Sequence, residues 1–351
     1  MQLLAYGATQ PVPFQQAICQ SQAVGPGITG DFTINAMHAV IDRVGCRDAD
    51  IHSEEMVDCL RSLDTEILLN ASIATKFGDI AHNIGDIWLP VVDGDFLPSA
   101  PSELIKEGRF AKVPTMIGWA QDDLAIFTDL NITTAEDTRE FVSSYVPDVT
   151  DENIDTLLSL YPVSDFAVEE SSDLPPEFFR AARVIRDILM VCQPIWYAQN
   201  LAKFGNEDVY LYDWNQTILE PLIEAVNGVT GLGPIHSAEF AYIFGNLSAY
   251  DVPGFPFEPT PDDYELAHRG SRAWSTFANV GRPGLEKDEG FGEFGPAFPN
   301  EQDTYIYVAG GPEEGFWAID GQDSTSGLLA QKLRERCGFI NSPEMIEQLR
   351  H

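Results

Sequence analysis

Short apolar runs separated by long helical stretches are the feature that most restricts the fold of this chain. Residues 113–119 form an apolar run after a lysine, and residues 208–214 alternate between apolar and polar side chains. The intervening residues 133–205 show helical periodicity, with a predicted capping box of Thr133 or Thr134 with Glu136 or Asp137 and a second helix start at Thr150-Asp151. A strand, a helical insertion and a second strand predict an α/β fold in which 113–119 is a central parallel strand.

The rest of the chain adds further elements of both kinds. We predict strands at 14–23 and 304–308, and helices at 33–44, 53–63, 177–204, 262–278 and 326–337. Pro194 is expected to kink the helix at 177–204, and Ser102 to cap a short helix that begins at Glu103. Residues 1–7 are typical of a helix end, with Gly7 as the C-cap.

The charge balance excludes one class of partner. The chain has 55 acidic and 20 basic residues, which gives a formal net charge of -35. Such a charge repels the phosphates of nucleic acids, so we expect no nucleic acid partner. No apolar run reaches the length of a transmembrane segment. We expect no cofactor and no metal ion, since the sequence contains no CxxC or HExxH motif.

Signals for the cellular location disagree. The first residues lack the basic region and apolar core of a signal peptide, which taken literally keeps the chain in the cytoplasm. A polar insert separates Cys46 from Cys59, and this pair is typical of a small disulfide loop of a secreted protein. Glycosylation sequons also indicate secretion, and they begin at Asn70, Asn131, Asn215 and Asn246. The odd cysteine count predicts at least one free thiol among Cys19, Cys192 and Cys337.

A carboxylate and a histidine occupy positions typical of a hydrolase. Asp123 follows the predicted strand at 113–119, where open α/β sheets place catalytic groups. His236 lies on a loop after 208–214, just before an aromatic-rich segment. This order is the second half of the arrangement Ser, Asp/Glu, His found in α/β-hydrolases. There the histidine takes the proton of a serine hydroxyl and the carboxylate orients the imidazole.

The chain resembles the type B carboxylesterases and lipases, the α/β-hydrolase family that includes the cholinesterases. The matching blocks run over nearly the whole chain and include Gln20-Ser21, Pro90-Val91-Val92-Asp93-Gly94, Gly108-Arg109-Phe110, His236-Ser237-Ala238-Glu239 and Trp274-Ser275-Thr276-Phe277-Ala278. The resemblance implies that 1–351 is the C-terminal part of a single α/β-hydrolase domain, with a helical insertion at about 130–205. It also implies a small-molecule or lipid ester as substrate and an extracellular location for the complete protein.

The resemblance assigns roles to individual residues. His236 aligns with the catalytic histidine of the family, and Asp123 stands where the family usually has glutamate. The family motif Asp-Glu-Gly here reads Asp122-Asp123-Leu124, so Asp122 is the alternative acid. Glu239 is expected to support the histidine loop.

The front of the family pattern is missing from these 351 residues. The chain contains no Gly-x-Ser-x-Gly elbow and no glycine-rich oxyanion loop, so the nucleophilic serine is not in the chain. Ser21 lies near the end of the strand predicted at 14–23, but it matches a family position that is not the nucleophile, and we expect it to be structural. The resemblance also implies a disulfide between Cys46 and Cys59. We therefore expect an incomplete copy of a secreted ester hydrolase that is inactive by itself.

Three functions remain compatible with the sequence. In the first, the complete protein is a serine carboxylesterase or lipase. In the second, it is a non-catalytic cholinesterase-like binding module. In the third, the chain is a truncated remnant without function. The sequence leaves the choice of ester and the oligomeric state open.

Overall fold

A mixed sheet of five strands organises the part of the chain described by the structure, a computed structural model that covers residues 1–23, 25, 32–46, 50–79, 88–166, 172–250, 257–284 and 290–351. The strands are β1 (Ala17–Gln20), β2 (Thr115–Ala120), β3 (Val209–Trp214), β4 (Tyr305–Ala309) and β5 (Gly315–Ala318). Strands β1 to β4 are parallel, and β5 is antiparallel to β4. The predicted α/β fold with a central parallel strand at β2 is confirmed.

Helices fill the connections between the strands. They are α1 (Phe32–Val44), α2 (Glu54–Ser62), α3 (Thr65–Ala74), α4 (Pro101–Lys106), α5 (Ala135–Tyr145), α6 (Asp151–Ser159), α7 (Pro176–Arg186), α8 (Cys192–Lys203), α9 (Glu220–Asn227), α10 (Phe240–Ile243), α11 (Leu247–Tyr250), α12 (Pro261–Val280), α13 (Ser326–Gln331), α14 (Leu333–Ile340) and α15 (Pro343–Leu349). Short 3-10 or π turns occur at Gln2–Ala8, Thr75–Asp79, Ala125–Phe127, Val163–Asp165 and Asp187–Val191. No helix among the described residues is long and apolar enough to span a membrane.

Both faces of the sheet are covered by apolar side chains. Ile117, Trp119 and Leu211 belong to a core shared with residues of α4 to α8 and of α14. Met116 and Tyr212, which alternate with them along β2 and β3, belong to a second core shared with α10 and α12. Successive side chains of a strand point to opposite faces, so one sheet supports two cores.

Two disulfides link parts of the chain that lie in or next to helices. Cys46, two residues after α1, is joined to Cys59 within α2, the pair implied by the family resemblance. Cys192 of α8 is joined to Cys337 of α14 across a sequence separation of 145. The odd cysteine is Cys19 on β1, which remains a free thiol.

The helices between β2 and β3 begin where the sequence predicts. Thr134 accepts a hydrogen bond from the backbone N–H of Asp137, and the Asp137 carboxylate accepts one from Thr134 N–H, which completes a capping box at α5. At α6, the Thr150 side chain accepts a hydrogen bond from the backbone N–H of Asn153. These side chains satisfy backbone donors that a helix start leaves without partners.

The prediction that Pro194 kinks a single helix at 177–204 is wrong in position. The helical ladder changes before the proline, at the π turn Asp187–Val191, where Cys192 N–H donates to Asp187 O. Pro194 has no N–H to donate to the carbonyl of Met190, four residues earlier. The wider turn removes this mismatch, so α7 and α8 are separate helices.

Other boundaries also differ from the sequence predictions. The predicted helix at 326–337 is divided at Lys332, whose φ of 49° is left-handed. Helix α4 begins at Pro101, and Ser102 donates to the backbone carbonyl of His351 instead of capping. The strand predicted at 14–23 is shorter in the structure, where β1 has only four residues. The helix end predicted at 1–7 is a 3-10 segment with non-helical backbone angles at Ala5, Tyr6 and Gly7.

Candidate active site

The carboxyl ends of three parallel strands bring Ser21, Asp123 and His236 together. Ser21 directly follows β1, Asp123 lies three residues after β2, and His236 lies on the loop between α9 and α10. Ligands of open α/β sheets bind at this edge. His236 Nδ1 lies 2.6 Å from Asp123 Oδ1, so the histidine and the acid selected from the sequence are in direct contact.

The Asp123 carboxylate is held by three hydrogen bonds. Its Oδ2 accepts from Ser21 Oγ at 2.6 Å and from the backbone N–H of Ala120 at 2.9 Å, while Oδ1 faces His236. The Asp123 side chain is 0% exposed. A buried carboxylate that accepts several hydrogen bonds is fixed in position.

His236 has one nitrogen bound and the other ring edge open. Because Nδ1 faces a carboxylate, the neutral imidazole carries its proton on Nδ1 and leaves Nε2 as a proton acceptor. The side chain is 36% exposed, so the ring remains accessible from the outside. Phe127 packs edge-on against the ring, with the two ring centroids 5.6 Å apart. The arrangement provides an oriented base at an accessible surface.

The environment of His236 favours the imidazolium form. The hydrogen bond to Asp123 raises the pKa of His236 above its ordinary value, although partial burial opposes this effect. The negative charges of Asp123 and Glu239 act in the same direction as the hydrogen bond. A base with a raised pKa is a stronger proton acceptor, which suits it to remove a proton from a hydroxyl.

Glu239 lies beneath the histidine loop and is 1% exposed. Its Oε1 accepts from Gln20 Nε2 at 3.1 Å, and Gln20 Oε1 accepts from Trp274 Nε1 at 3.3 Å. Burial raises the pKa of the Glu239 carboxyl. The side chain thus connects the histidine loop to the end of β1 and to α12, consistent with a supporting position.

Asp122, the alternative acid of the sequence prediction, faces a different group. Its Oδ1 lies 3.3 Å from Arg183 Nη2 on α7. The carboxylate on His236 Nδ1 is that of Asp123. The shorter aspartate reaches the imidazole because the backbone N–H of Asp122 donates to Pro234 O at 3.0 Å, which brings the two loops together.

Sequence reasoning missed several contacts around the acid. Ser21 was expected to be structural, and the structure shows that its hydroxyl donates to Asp123. Arg183 and Arg186 of α7 contact the turn at 121–123 and were not singled out. A polar residue near the end of a predicted strand was the available signal for Ser21. Pairs such as Arg183 and Asp122, which are 61 residues apart, left no local signal.

The glycosylation candidates differ in accessibility. Asn70 on α3, Asn131 and Asn246 are exposed. Asn215 is half-buried directly after β3, and its Nδ2 lies 2.8 Å from the position that a Cβ on Gly311 would take. The surroundings of Asn215 are therefore the most crowded of the four.

Comparisons with known proteins place these features in context. A model of the carboxylesterase family matches residues 2–313. The chain is 49% identical to a secreted lipase of Arthroderma benhamiae over 350 residues, which is 100% of this chain and 60% of that protein. It is 30% identical to an inactive carboxylesterase-like protein of Byssochlamys spectabilis over 360 residues, covering 95% of this chain and 58% of the relative.

A solved structure shares the fold. The crystal structure of Aspergillus niger EstA superposes with a TM-score of 0.70 at 16% identity, covering 100% of this chain and 62% of that one. The chain thus spans about 60% of the length of these three proteins.

Proposed function

Since this chain belongs to the carboxylesterase family, we propose that the complete protein hydrolyses carboxylic esters through an acyl-enzyme, with His236 as general base and Asp123 as its orienting acid. The observation that carries the proposal is the 2.6 Å contact between His236 Nδ1 and the fully buried Asp123 carboxylate. A carboxylate in this position fixes the tautomer of the base and stabilises the imidazolium that forms during reaction.

In this proposal the proton moves through His236 Nε2. A serine hydroxyl gives its proton to Nε2 while the serine oxygen attacks the ester carbonyl carbon. The C–O bond to the alcohol then breaks, and the imidazolium returns the proton to the departing alcohol. Water repeats the sequence on the acyl-enzyme, releases the carboxylic acid and restores the serine. Asp123 remains ionised throughout.

The proposal places the nucleophile outside these 351 residues. The chain contains no Gly-x-Ser-x-Gly elbow. Ser21 does not take that role in the proposal, because its hydroxyl donates to Asp123 Oδ2. The substrate is proposed to be a small-molecule or lipid ester, a class suggested by the name of the lipase relative.

The test is to clone the longest transcript through the codon for Met1 and to express its product beside the 351-residue chain. We expect the longer product to hydrolyse nitrophenyl esters and to be labelled by an organophosphonate that reacts with active-site serines. His236→Ala should reduce kcat/KM at least about 1,000-fold without loss of folding. His268→Ala is the matched control and should leave the activity unchanged. A folded longer product that has no hydrolase activity would reject the proposal.

One observation supports a second candidate. An inactive carboxylesterase-like protein is among the relatives. A non-catalytic binding protein would retain ester affinity without turnover. Transcripts that begin at Met1, together with a folded product that binds an ester analogue, would favour this candidate.

We also propose that the protein is extracellular. Two disulfides and three exposed sequons, together with a secreted relative, support this location. Secreted expression should add glycans at Asn70, Asn131 and Asn246 but not at the crowded Asn215. Single Asn→Gln variants, compared by intact mass, check this pattern, and an unglycosylated secreted product would contradict it.

A further inference from the structure

The turn that carries Asp123 is held by two arginines of α7. Arg186 Nη1 donates to the backbone carbonyl of Gln121 at 2.6 Å. Arg183 Nη2 lies 3.3 Å from Asp122 Oδ1. Residues three apart on a helix share one face, so both guanidinium groups approach the turn from the same side. The two residues that precede Asp123 are each tied to this helix.

Arg186 is a rigid member of this arrangement. It is 1% exposed, and its Nη2 and Nε donate to Asp187 Oδ1 at 2.6 and 2.9 Å. Its Nη2 also donates to Gln331 Oε1 at 2.9 Å. A planar guanidinium with this many partners has little freedom to move, so the carbonyl of Gln121 is fixed relative to α7.

Asp122 connects the acid turn to the histidine loop. Its backbone N–H donates to Pro234 O at 3.0 Å, two residues before His236. Gly233, whose φ is +74°, lies so close that an added Cβ would be 2.3 Å from Asp122 Oδ2. The side chain of Asp122 therefore occupies the space between Arg183 and the histidine loop.

We propose that Arg183 and Asp122 are positioning residues, which set the separation between the Asp123 carboxylate and the His236 imidazole by fixing both loops to α7. This inference rests on the proposed role of His236 as the general base. An aspartate has one methylene less reach than a glutamate, so a small movement of either loop would lengthen the 2.6 Å contact. Misplacement of a catalytic group by about 1 Å can reduce a rate about 100-fold.

A purely electrostatic role for Arg183 predicts the opposite sign. Loss of a nearby cation by itself stabilises the imidazolium and raises the pKa of His236. If the two loops are no longer held in position, the hydrogen bond between His236 and Asp123 weakens. This hydrogen bond is the largest cause of the raised pKa of His236, so the pKa should fall. The other charged group found to act on His236 is Glu239, on its own loop, and it is unchanged by the variants proposed here.

The experiment is Arg183→Gln, measured by the NMR titration of the imidazole nitrogens in histidine-labelled protein. The His236 signals are assigned from their loss in His236→Gln. We expect Arg183→Gln to lower the pKa of His236. The matched control is Arg180→Gln, which removes the same charge from α7, at a residue that binds Glu177 and the carbonyl of Tyr161. The control should leave the His236 titration unchanged.

A second variant keeps the inference testable if Arg183→Gln does not fold. Gly233→Ala changes no charge, and its Cβ would push against Asp122. We expect it also to lower the pKa of His236. An unchanged or higher pKa in a folded Arg183→Gln protein, or an unchanged pKa in Gly233→Ala, would overturn the inference.

The titration separates this inference from the proposed function. It requires no turnover, so it can succeed even if the longer product hydrolyses no ester. In an active enzyme, Arg183→Gln should also lower kcat/KM by about 10-fold to 100-fold. The acidic limb of its pH profile should move to lower pH, because the base loses its proton earlier.

Discussion

At the scale of single residues, Asp123 is a carboxylate whose oxygens are occupied inside the protein. Ser21 and the N–H of Ala120 bind Oδ2, and His236 takes Oδ1. These hydrogen bonds hold the carboxylate in one orientation. Its effect is exerted on the imidazole, whose pKa it raises.

The pH profile of the active enzyme should depend on this pair. Asp123→Asn removes the charge that stabilises the imidazolium, so the pKa of His236 falls. Since a general base acts when unprotonated, the acidic limb of kcat/KM should move to lower pH. The maximum should fall about 10,000-fold.

A matched surface change provides the control for this profile. Asp155 is an exposed partner of Arg139. Asp155→Asn should leave unchanged both the pH of the acidic limb and the maximum value of kcat/KM. An acidic limb that does not move in Asp123→Asn would show that another group sets it.

A second buried carboxylate should affect stability instead of activity. Burial raises the pKa of Asp213 to about 6, although the charge of Arg186 opposes the rise. The unfolded side chain has a pKa of about 3.9, so the folded state loses stability as pH rises from about 4 to about 6.

Asp213→Asn should remove this loss. The variant should be more stable than the natural protein by up to about 3 kcal/mol near pH 7.5 and about equal near pH 4. Denaturant unfolding at both pH values measures the difference. A variant that is less stable at the higher pH would show that the Arg186 interaction outweighs the cost of burying the charge.

Sequence reasoning at this scale worked where a residue type carries its own chemistry. His236 and Asp123 were selected by their order along the chain and by family resemblance, and they lie in contact. The partners of Asp122 and of the Gln121 carbonyl could not be selected, because they lie 61 and 65 residues away in sequence.

At the scale of elements, the packing of β2 against β3 depends on a glycine, which has no side chain. Gly118 is in register with Tyr212, and a Cβ on it would lie 2.3 Å from the Tyr212 ring. The aromatic ring fills the space above the glycine, next to Trp274. A larger residue would force the ring out of a packed core.

Gly118→Ala should therefore destabilise the protein by about 1–3 kcal/mol. The matched glycine is Gly338 on α14, where an added Cβ meets nothing within 4 Å. Gly338→Ala should stabilise the helix by about 0.5–1 kcal/mol. Thermal unfolding of both variants checks these opposite signs, and equal stabilities would contradict them.

Helix starts were predictable because their signals are local. Thr134 with Asp137, and Thr150, mark α5 and α6 directly in the sequence. The π turn Asp187–Val191 and the left-handed backbone of Lys332 depend on tertiary packing, which leaves no local sequence signal. Hydrophobic periodicity therefore predicted one continuous helix at each place where the structure has two.

At the scale of the whole molecule, one covalent link spans much of the chain. The Cys192–Cys337 disulfide closes a loop with a sequence separation of 145 residues, and Cys46–Cys59 closes one of 13. Cross-links restrict the unfolded chain, and they do so more strongly for longer loops.

Removal of the two links should have unequal effects. Cys192→Ser with Cys337→Ser should lower the free energy of unfolding by about 5 kcal/mol, whereas Cys46→Ser with Cys59→Ser should lower it by about 3 kcal/mol. Guanidinium unfolding of each double variant measures the losses. A larger loss for the shorter loop would show that native packing, and not loop closure, dominates.

The order of the strands in the sheet is the order of the strands in the chain. During synthesis, each strand that leaves the ribosome can therefore add to the exposed side of the one before it, without being threaded between two already paired. The cross-link to α14 can form only after all five strands of this sheet have emerged. A nascent chain can thus pair these strands in order before this disulfide joins α8 to α14.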